Sequence, residues 1–452
     1  MHQISERIPY LLGVQAEEHI SMIWALVSFY ADWWKASVAL DATLESETWI
    51  LKGPAGLVRM PKNPAALVPN EICEVSVPCG GQSSSLPFPG IHPPSPQEWE
   101  SGFPEDLLTF LAGQLWRAEE LLPGFSSQAE NAGSEGFLGD RFAFFDRPVV
   151  DLWMRALLER LHGHVLPEPP PRFWMTYDVD CLRKWKRKGV LRHMARCPLE
   201  IMRGKGWEWA SRMREALWAH FPNHDPWYTV PAMLDASQNL RATFFWLGHP
   251  RDHLSFRYDV RRPEYARLVQ VAAQAGHRTG LHGSPLHADD PQLLWEEKKR
   301  LEQISHTDII LHRQHFLRII PGQTLSHLES IGIQLDSSLG FNACTGFRCG
   351  SCLPFPWWDL VQNRLLNLRE LPLVVGDWTL HNPSHFQADE SLEKLQNLAQ
   401  NCARAGGILS LDFHELYFST DYPGHAAFHA QVLRTLLARG WRAWDPGEVF
   451  QP

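Results

Sequence analysis

The pattern of hydrophobic and polar residues changes character near residue 165. Beyond it, short uncharged runs that predict buried strands alternate with segments whose apolar residues recur at helical spacing. Strands are predicted at 172–180, 240–248, 277–282, 308–312 and 408–413, and helices at 263–275, 291–305, 391–405 and 427–439. Strands that alternate with helices indicate a parallel sheet covered by helices on both faces, either open or closed into a barrel.

The part before residue 165 is organised differently. Helices are predicted at 19–40, from residue 104 onward and at 149–162. The Pro-, Gly- and Ser-rich passage 77–96 is predicted to be a loop or linker. Three consecutive prolines at 169–171 cannot join a helix or a central strand, so they mark a connector. We therefore expect two domains, 1–165 and 166–452, as is common for a chain of 452 residues.

Composition and charge narrow the class of protein. Hydrophobic residues make up 44% and charged residues 21% of the chain, and the net charge of −9 gives no reason to expect nucleic-acid binding. The basic run 183–188 is interpreted as a solvated loop. The uncharged stretch 19–31 is about 13 residues long, too short for a transmembrane segment, and no apolar signal core follows the N-terminus. A cytoplasmic protein is expected, and its oligomeric state stays open.

The eight cysteines are scattered along the chain. Cys349 and Cys352 form a C-x-x-C motif, which in other settings is a zinc knuckle or a redox pair. No second pair accompanies it, so two reduced thiols are the expected state.

Polar residues recur where the predicted strands end. Asp178 and Asp180 follow an apolar run and share one face of their strand, because side chains alternate with a period of two. Buried carboxylates are costly unless they bind a metal or handle protons, although a solvated Asp-x-Asp loop is the alternative for this pair alone. Later strands end in His282, in Arg313 with His315, and in His414. Strand ends converge in a parallel fold, so these side chains are expected to meet.

These strand ends resemble the polysaccharide deacetylase (carbohydrate esterase) family. The segments that carry the resemblance follow the family's order: Thr176–Asp180, Ala242–Gly248, Gly280–Ser284, Arg313–Arg318 and Leu411–His414. A branch with an extra N-terminal domain is indicated by Asp336–Phe341 with Gly346–Arg348, and by similarity of 140–151 to the end of that domain. The resemblance spans roughly residues 172 to 445.

The resemblance implies a distorted (β/α) barrel with a smaller N-terminal domain of α/β or α+β type. It also implies a divalent metal and hydrolysis of a non-peptide C–N bond, the removal of acetyl groups from N-acetylated sugars. By position, Asp178 is the general base, held by Arg313. Asp180 and His282 are metal ligands, and His414 is the acid that protonates the leaving amine.

The third metal ligand is where the chain departs from the family pattern. His287 lies five residues after His282, with Pro285 between them, instead of four. On a helix five residues rotate by about 140°, so the two rings would not share a face. His315 lies where the family has proline. The favoured set is Asp180, His282 and His315, which suits zinc or another transition metal, with His287 as the alternative.

Several assignments stay open on the sequence. Asp336, Asp377 and Asp412 are all candidates for orienting His414. The favoured function is deacetylation of an N-acetyl sugar or a sugar-linked precursor. A catalytically weak glycan-binding relative and a hydrolase of a cyclic amide or ureide are the alternatives. A carbohydrate or sugar-linked small molecule is the expected partner, contacted by the aromatic-rich segments 181–237 and 341–358.

Overall fold

The structure is a computed structural model, and it describes most of the chain. The described residues are 16–41, 48–63, 66, 69, 71–89, 106–121, 137–185, 190–191, 194–219, 221–248, 258–380 and 386–450. The helices are α1 (Ala16–Trp34), α2 (Leu107–Leu115), α3 (Leu138–Arg141), α4 (Val149–His162), α5 (Cys197–Met202), α6 (Gly206–Trp218), α7 (Val230–Ala236), α8 (Pro263–Gln274), α9 (Pro291–Ser305), α10 (Thr324–Ser330), α11 (Asp377–Leu380), α12 (Ala388–Arg404) and α13 (His425–Ala438). The strands are β1 (Ala39–Asp41), β2 (Thr48–Gly53), β3 (Gly56–Pro61), β4 (Ile72–Cys79), β5 (Gln82–Pro89), β6 (Arg172–Val179), β7 (Thr243–Leu247), β8 (Arg278–Gly283), β9 (Leu311–Gln314), β10 (Leu335–Asp336), β11 (Phe355–Asp359), β12 (Arg364–Glu370), β13 (Val375–Gly376), β14 (Ile408–His414) and β15 (Arg442–Ala443).

The main sheet has the order β11-β12-β10-β9-β8-β7-β6-β14-β13, and β15 pairs with β6. Every pairing in it is parallel except that of β11 with β12. The expected alternation of strands and helices is confirmed, and element bounds differ from the predicted ones by a few residues. Helix α9 begins as its sequence predicts, since the Asp290 carboxylate accepts from the Leu293 backbone N–H at 3.0 Å and Pro291 follows.

The sheet curls around an interior cluster of side chains, as in a barrel. The members of this cluster come from strands along almost the whole sheet and from its two flanks: Trp174, Phe245, Leu311, Leu335, Leu371, Ile408 and Trp444. Hydrogen bonding does not close the path between β13 and β11. The predicted distorted (β/α) barrel is confirmed, with an interior that is packed at one end and open toward the strand ends.

Period-two alternation along β6 and β14 decides which residues face this interior. On β6, Phe173, Met175 and Tyr177 pack in the outer core under the helices, whereas Trp174 points into the barrel. Asp178 is in phase with Trp174, so it also points inward. The same phase on β14 directs His414 inward with Ile408. Asp178 of β6 and His414 of β14 therefore both point into the barrel interior.

The N-terminal part consists of helices and antiparallel strands, which is the α+β form of the two predicted types. Strands β1, β2 and β3 form one sheet, and β4 pairs with β5 as a hairpin. The prediction of a loop at 77–96 is wrong for 77–89, and 90–96 lie outside the described residues. Gly80 and Gly81 connect the two strands with φ of 60° and 73°, which suits a two-residue hairpin turn.

A polar interface joins the N-terminal part to the barrel, and one hydrophobic core spans both. The buried Arg117 donates to the Arg348 carbonyl at 2.6 Å, and Arg348 pairs with Glu120 at 2.9 Å. The Gly346 φ of 143° lets its backbone approach the Phe145 carbonyl, where a Cβ would collide. The Gly346–Arg348 motif therefore contacts the N-terminal part and helps to hold it against the barrel.

The C-x-x-C motif is part of the same interface. Cys349 and Cys352 are free thiols, both fully buried, as expected for reduced cysteines. The Cys352 backbone N–H donates to Asp151 of α4 at 2.7 Å. Burial raises the pKa of both thiols well above the usual range, so they are unreactive.

No helix within the described ranges is long and apolar enough to cross a membrane.

Candidate metal and catalytic site

Asp180 lies directly after β6 at the open end of the barrel, almost fully buried. Its backbone N–H donates to Glu415 Oε2 at 3.0 Å, and the next N–H, of Cys181, donates to Glu415 Oε1 at 2.5 Å. Burial raises the pKa of the Asp180 carboxyl, but His315 and His282 lower it more, and it lies well below its usual range. The Asp180 carboxylate is therefore ionised, and Glu415 fixes the backbone at Asp180 and Cys181.

His282, at the end of β8, faces Asp180 through one ring nitrogen. Its Nδ1 lies 2.9 Å from the Arg313 carbonyl oxygen, and because a carbonyl only accepts, Nδ1 carries the proton. The other ring nitrogen, Nε2, lies 3.2 Å from Asp180 Oδ1. Neither atom has a hydrogen-bond partner among the described residues, although both are buried. An imidazole nitrogen and a carboxylate oxygen at this separation are the two kinds of atom that would share a divalent cation.

His315 approaches the same carboxylate from the end of β9. Its Nε2 lies 3.3 Å from Asp180 Oδ2, and its ring centroid lies 4.7 Å from that of His282. The next two residues, Phe316 and Leu317, have φ of 58° and 51°, a left-handed conformation that is rare for such side chains. This turn stacks Phe316 on His315 at 4.0 Å between ring centroids. The strained backbone holds the imidazole at the strand end.

Asp180, His282 and His315 together form a group whose ligand atoms lie within 4.8 Å of one another. One carboxylate oxygen and two imidazole nitrogens suit zinc or another first-row divalent metal. Asp180 Oδ1 and His282 Nε2 face each other, are buried and have no hydrogen-bond partner among the described residues, so these residues fit a bound cation. Open space on the cavity side leaves room for a substrate oxygen.

Asp178 lies beside this group and is held by a buried arginine. Arg313 Nη1 lies 3.0 Å from Asp178 Oδ1, 2.8 Å from Asp412 Oδ1 and 2.6 Å from Thr176 Oγ1. Burial raises the pKa of Asp178, but Arg313, His282 and His414 together lower it more, so the net pKa lies below its usual value. Burial and the Asp178 charge instead raise the pKa of Asp412 well above its usual range.

His414, at the end of β14, also lies beside Asp180. Its Nε2 is 3.7 Å from Asp180 Oδ2. Its Nδ1 donates to Asp377 Oδ1 at 2.9 Å, and its backbone N–H donates to Asp377 Oδ2 at 2.7 Å. Burial lowers the pKa of His414, but Asp377 and then Asp412 raise it more, to well above its usual value. Of the three acids left open by the sequence, Asp377 forms the hydrogen bond and Asp412 lies 3.5 Å from Nδ1.

A second group of close ligand atoms comprises Asp178, Asp412 and His414. Arg313 already contributes a positive charge between its two carboxylates. Adding a divalent cation there would place it against a buried guanidinium, which is unfavourable. The first group is therefore the better metal site.

His287 and Asp336 are not brought to the site. His287 Nδ1 pairs with Glu297 of α9, and Asp336 accepts from His312 Nδ1 at 2.6 Å on the outer side of β9. His287 belongs to neither group of close ligand atoms among the described residues. The Pro285 turn directs it toward the helix layer, as the spacing of five suggested.

The site opens into a cavity of about 310 Å³. Asp178, Asp180, His282, His315 and His414 all line it. The lining also includes Phe316, Asn342, Trp378, Glu415 and Tyr417. Sequence reasoning did not single out Glu415, Trp378 and Tyr417. Their position in the sequence could have indicated them. Trp378 directly follows Asp377, and Glu415 and Tyr417 lie one and three residues after His414.

Comparison with known proteins gives weak matches. No protein-family model and no curated protein matches the chain. Among solved structures, a protein from Mycobacterium smegmatis described as a polysaccharide deacetylase is similar at 20% identity, over 62% of this chain and 90% of that chain, with a TM-score of 0.37. A family 4 acetyl xylan esterase from Clostridium thermocellum, in complex with cobalt, is similar at 12% identity, over 62% and 89%, with a TM-score of 0.31. A CE4 family pseudoenzyme from Bacillus anthracis is similar at 11% identity, over 65% and 71%, with a TM-score of 0.32. At these values the likeness carries no assignment of activity.

Proposed function

We propose that this protein is a metal-dependent hydrolase of non-peptide C–N bonds that removes the acetyl group from an N-acetylated sugar or sugar-linked precursor. One observation carries the proposal. Three residues that would hold a cation, Asp180, His282 and His315, line one cavity together with an ionised carboxylate, Asp178, and a protonated histidine, His414. An acid and a base flanking a metal site are the groups that amide hydrolysis requires.

Asp180, His282 and His315 would hold the metal, with zinc the metal best suited to two imidazoles and one carboxylate. When bound, it would supply polarisation of the substrate carbonyl and a lower pKa for the attacking water. Glu415 keeps Asp180 in place through two backbone hydrogen bonds. The His282 tautomer is set by the Arg313 carbonyl, so that Nε2 is available.

Asp178 would accept the proton of the attacking water. Arg313 orients its Oδ1 at 3.0 Å, and Oδ2 remains directed toward His282 at 3.7 Å. Because the pKa of Asp178 lies below its usual value, the carboxylate is ready to accept a proton at neutral pH. The same arginine prevents Asp178 from turning away from the cavity.

His414 would return a proton to the leaving amine. Its raised pKa keeps the ring protonated at neutral pH, and Asp377 occupies Nδ1, so Nε2 is the donor toward the cavity. Trp378 packs edge-on against the ring at 5.0 Å between centroids. Base and acid thus both line the cavity beside Asp180.

The cavity supports a compact sugar-like substrate. A volume of about 310 Å³ lies at the small end of ligand pockets and would take one ring with its acetamido group. Trp378, Tyr417 and Phe316 provide aromatic faces and edges of the kind that stack on sugar rings. The proposal includes a cytoplasmic location, where a nucleotide-linked or lipid-linked sugar would be the substrate.

The test combines metal analysis with acetate release. Purified protein and its Asp180→Ala variant are analysed for zinc and other divalent metals, then assayed on N-acetylglucosamine oligomers and on a nucleotide-linked N-acetyl sugar. We expect about one metal per chain in the wild type, none in the variant, and acetate release by the wild type alone.

Other results would replace the proposal. Metal binding with ring opening of small cyclic imides, and no acetate release, would indicate the cyclic-amide hydrolase. Glycan binding without metal or turnover would indicate a binding protein.

A further inference from the structure

The insertion between β6 and β7 has an unusual surface. Among the described residues, half of the exposed large hydrophobic side chains lie between positions 191 and 221. Helix α5 has no buried residue, although it contains Leu199, Ile201 and Met202. A helix with three exposed aliphatic or thioether side chains and nothing buried does not contribute to the protein core. Exposed apolar side chains grouped in this way indicate an interaction surface.

Helix α6, which contacts α5, is apolar on two opposite sides. Met213 and Ala216 are buried against the protein. Trp207 and Trp218 are 87% and 56% exposed. They are eleven residues apart, which on a helix places them within about 20° of each other and about 16 Å apart along the axis. The two indoles therefore mark one outer edge, turned away from Met213 and Ala216.

The charge around this surface is strongly positive. Residues 181–221 contain eleven Lys or Arg and three Asp or Glu, whereas the chain as a whole has a net charge of −9. Several basic side chains of the two helices and their connection are exposed: Arg196, Arg203, Lys205, Arg212 and Arg214. Exposed Trp, Leu and Met side chains interspersed with Arg and Lys are the composition of helices that lie in a membrane interface.

Ion pairs link α6 to chain segments that also carry site residues. Lys184, four residues after Asp180, pairs with Glu215 of α6 at 2.9 Å and with Asp421 at 2.8 Å. Asp421 lies four residues after Tyr417, which lines the cavity. Helix α6 is therefore connected through Lys184 to the segments that follow Asp180 and Tyr417.

We infer that the outer surface of α5 and α6, defined by Leu199, Ile201, Met202, Trp207 and Trp218, docks on a bilayer that contains anionic lipids. Anionic headgroups complement the arginines and lysines, and the apolar side chains enter the boundary between headgroups and acyl chains. A second copy of the same basic surface would be repelled. Three of the five side chains, Leu199, Ile201 and Met202, have no ring face on which nucleic-acid bases could stack, so the apolar set favours lipid. The docking does not depend on the proposed hydrolase activity.

Vesicle co-sedimentation tests the inference. The full chain is mixed with vesicles of phosphatidylcholine alone or of phosphatidylcholine with an equal part of phosphatidylglycerol. We expect binding to the anionic vesicles only, with an affinity that falls as salt is raised. The Trp207→Ser/Trp218→Ser variant should lose roughly tenfold or more in affinity. The matched control is Trp24→Ser/Trp295→Ser, which removes two exposed indoles elsewhere and should bind as wild type.

Further arms keep the result interpretable. Asp180→Ala should bind vesicles as the wild type does, so a failed hydrolase proposal leaves this one standing. Wild-type protein that binds neither vesicle, or a Trp207→Ser/Trp218→Ser variant that binds anionic vesicles undiminished, would overturn the inference. So would a wild-type dimer that the same variant converts to a monomer without any vesicle binding, since the surface would then join two copies. Salt-sensitive binding to a random single-stranded RNA, with no vesicle binding, would point to nucleic acid instead.

Discussion

Buried histidines contact carboxylates on both sides of the same strands, and the two sides differ in kind. Outside the barrel, His287 pairs with Glu297 and His312 with Asp336, in each case through Nδ1. Inside it, Asp180 is faced by His282 and His315 through Nε2, and the Nδ1 of His282 is used by a backbone carbonyl.

The difference separates structural histidines from ligands. An outer pair consists of one donor and one acceptor, so Nδ1 and the carboxylate satisfy each other without any further group. The inner group brings one carboxylate and two imidazole nitrogens together, which is a donor set that suits a divalent metal. A buried histidine therefore points to a metal site when its Nε2 faces a carboxylate that a second histidine also faces.

The largest effect should come from exchanging an inner histidine for alanine. Losing an outer partner of a metal ligand costs about 10- to 100-fold in affinity, so His315→Ala is expected to lose more than about 100-fold in zinc affinity. Equilibrium dialysis followed by metal analysis measures this. His287→Ala is the matched control from the outer side and should keep its metal. Equal metal content in the two variants would abolish the distinction between the two sides.

Arg313→Met tests the buried charge that supports the inner group. It leaves Asp178 and Asp412 without their shared cation, and breaking such a buried pair costs about 3–5 kcal/mol of stability. Urea unfolding gives the free energy. Arg364→Met removes an exposed pair with Glu329 and should cost about 0–1 kcal/mol. A loss from Arg313→Met no larger than this control would mean that Arg313 and Asp178 do not form a stabilising buried ion pair.

An outer pair should affect stability without affecting metal. Asp336→Asn places an amide beside the His312 N–H and the Ser338 hydroxyl, both of which donate to the native carboxylate. We expect a loss of about 1–3 kcal/mol in urea unfolding, with unchanged bound zinc. Asp146→Asn, at an exposed ion pair with Arg147, is the control for stability. Loss of zinc from Asp336→Asn would show that the outer pairs also support the metal.

The smallest effect concerns the pH dependence of the proposed acid. Asp377 raises the pKa of His414, so the protonated form persists to higher pH and activity is lost as pH rises through the folded-state pKa. Asp377→Asn removes this cause, and the alkaline limb of kcat/KM should move to lower pH. Asp445→Asn, at the opposite end of β6, should leave the profile unchanged. An unmoved limb in Asp377→Asn would exclude His414 as the titrating acid.

Alternation and strand-end position made much of the barrel predictable. Apolar runs bounded by Gly and Pro located β6, β7, β8 and β14, and the period of two placed Asp178 on the inner face with Trp174. The hairpin β4–β5 was missed because its Ser and Pro content resembles a loop. The Gly80-Gly81 turn between alternating residues was the available signal.

The sequence by itself determined five strands of the barrel, the residue types at their ends and the faces on which those residues lie, because these follow from local periodicity. The tertiary structure decided which histidine meets Asp180 and which acid meets His414. His315 directly follows β9 and is stacked on by Phe316, the first of two left-handed residues. Asp377 begins α11 directly after β13, the strand that pairs with β14. Both contacts depend on backbone turns and on residues that are distant in the chain. A local hydrophobic pattern contains no information about either.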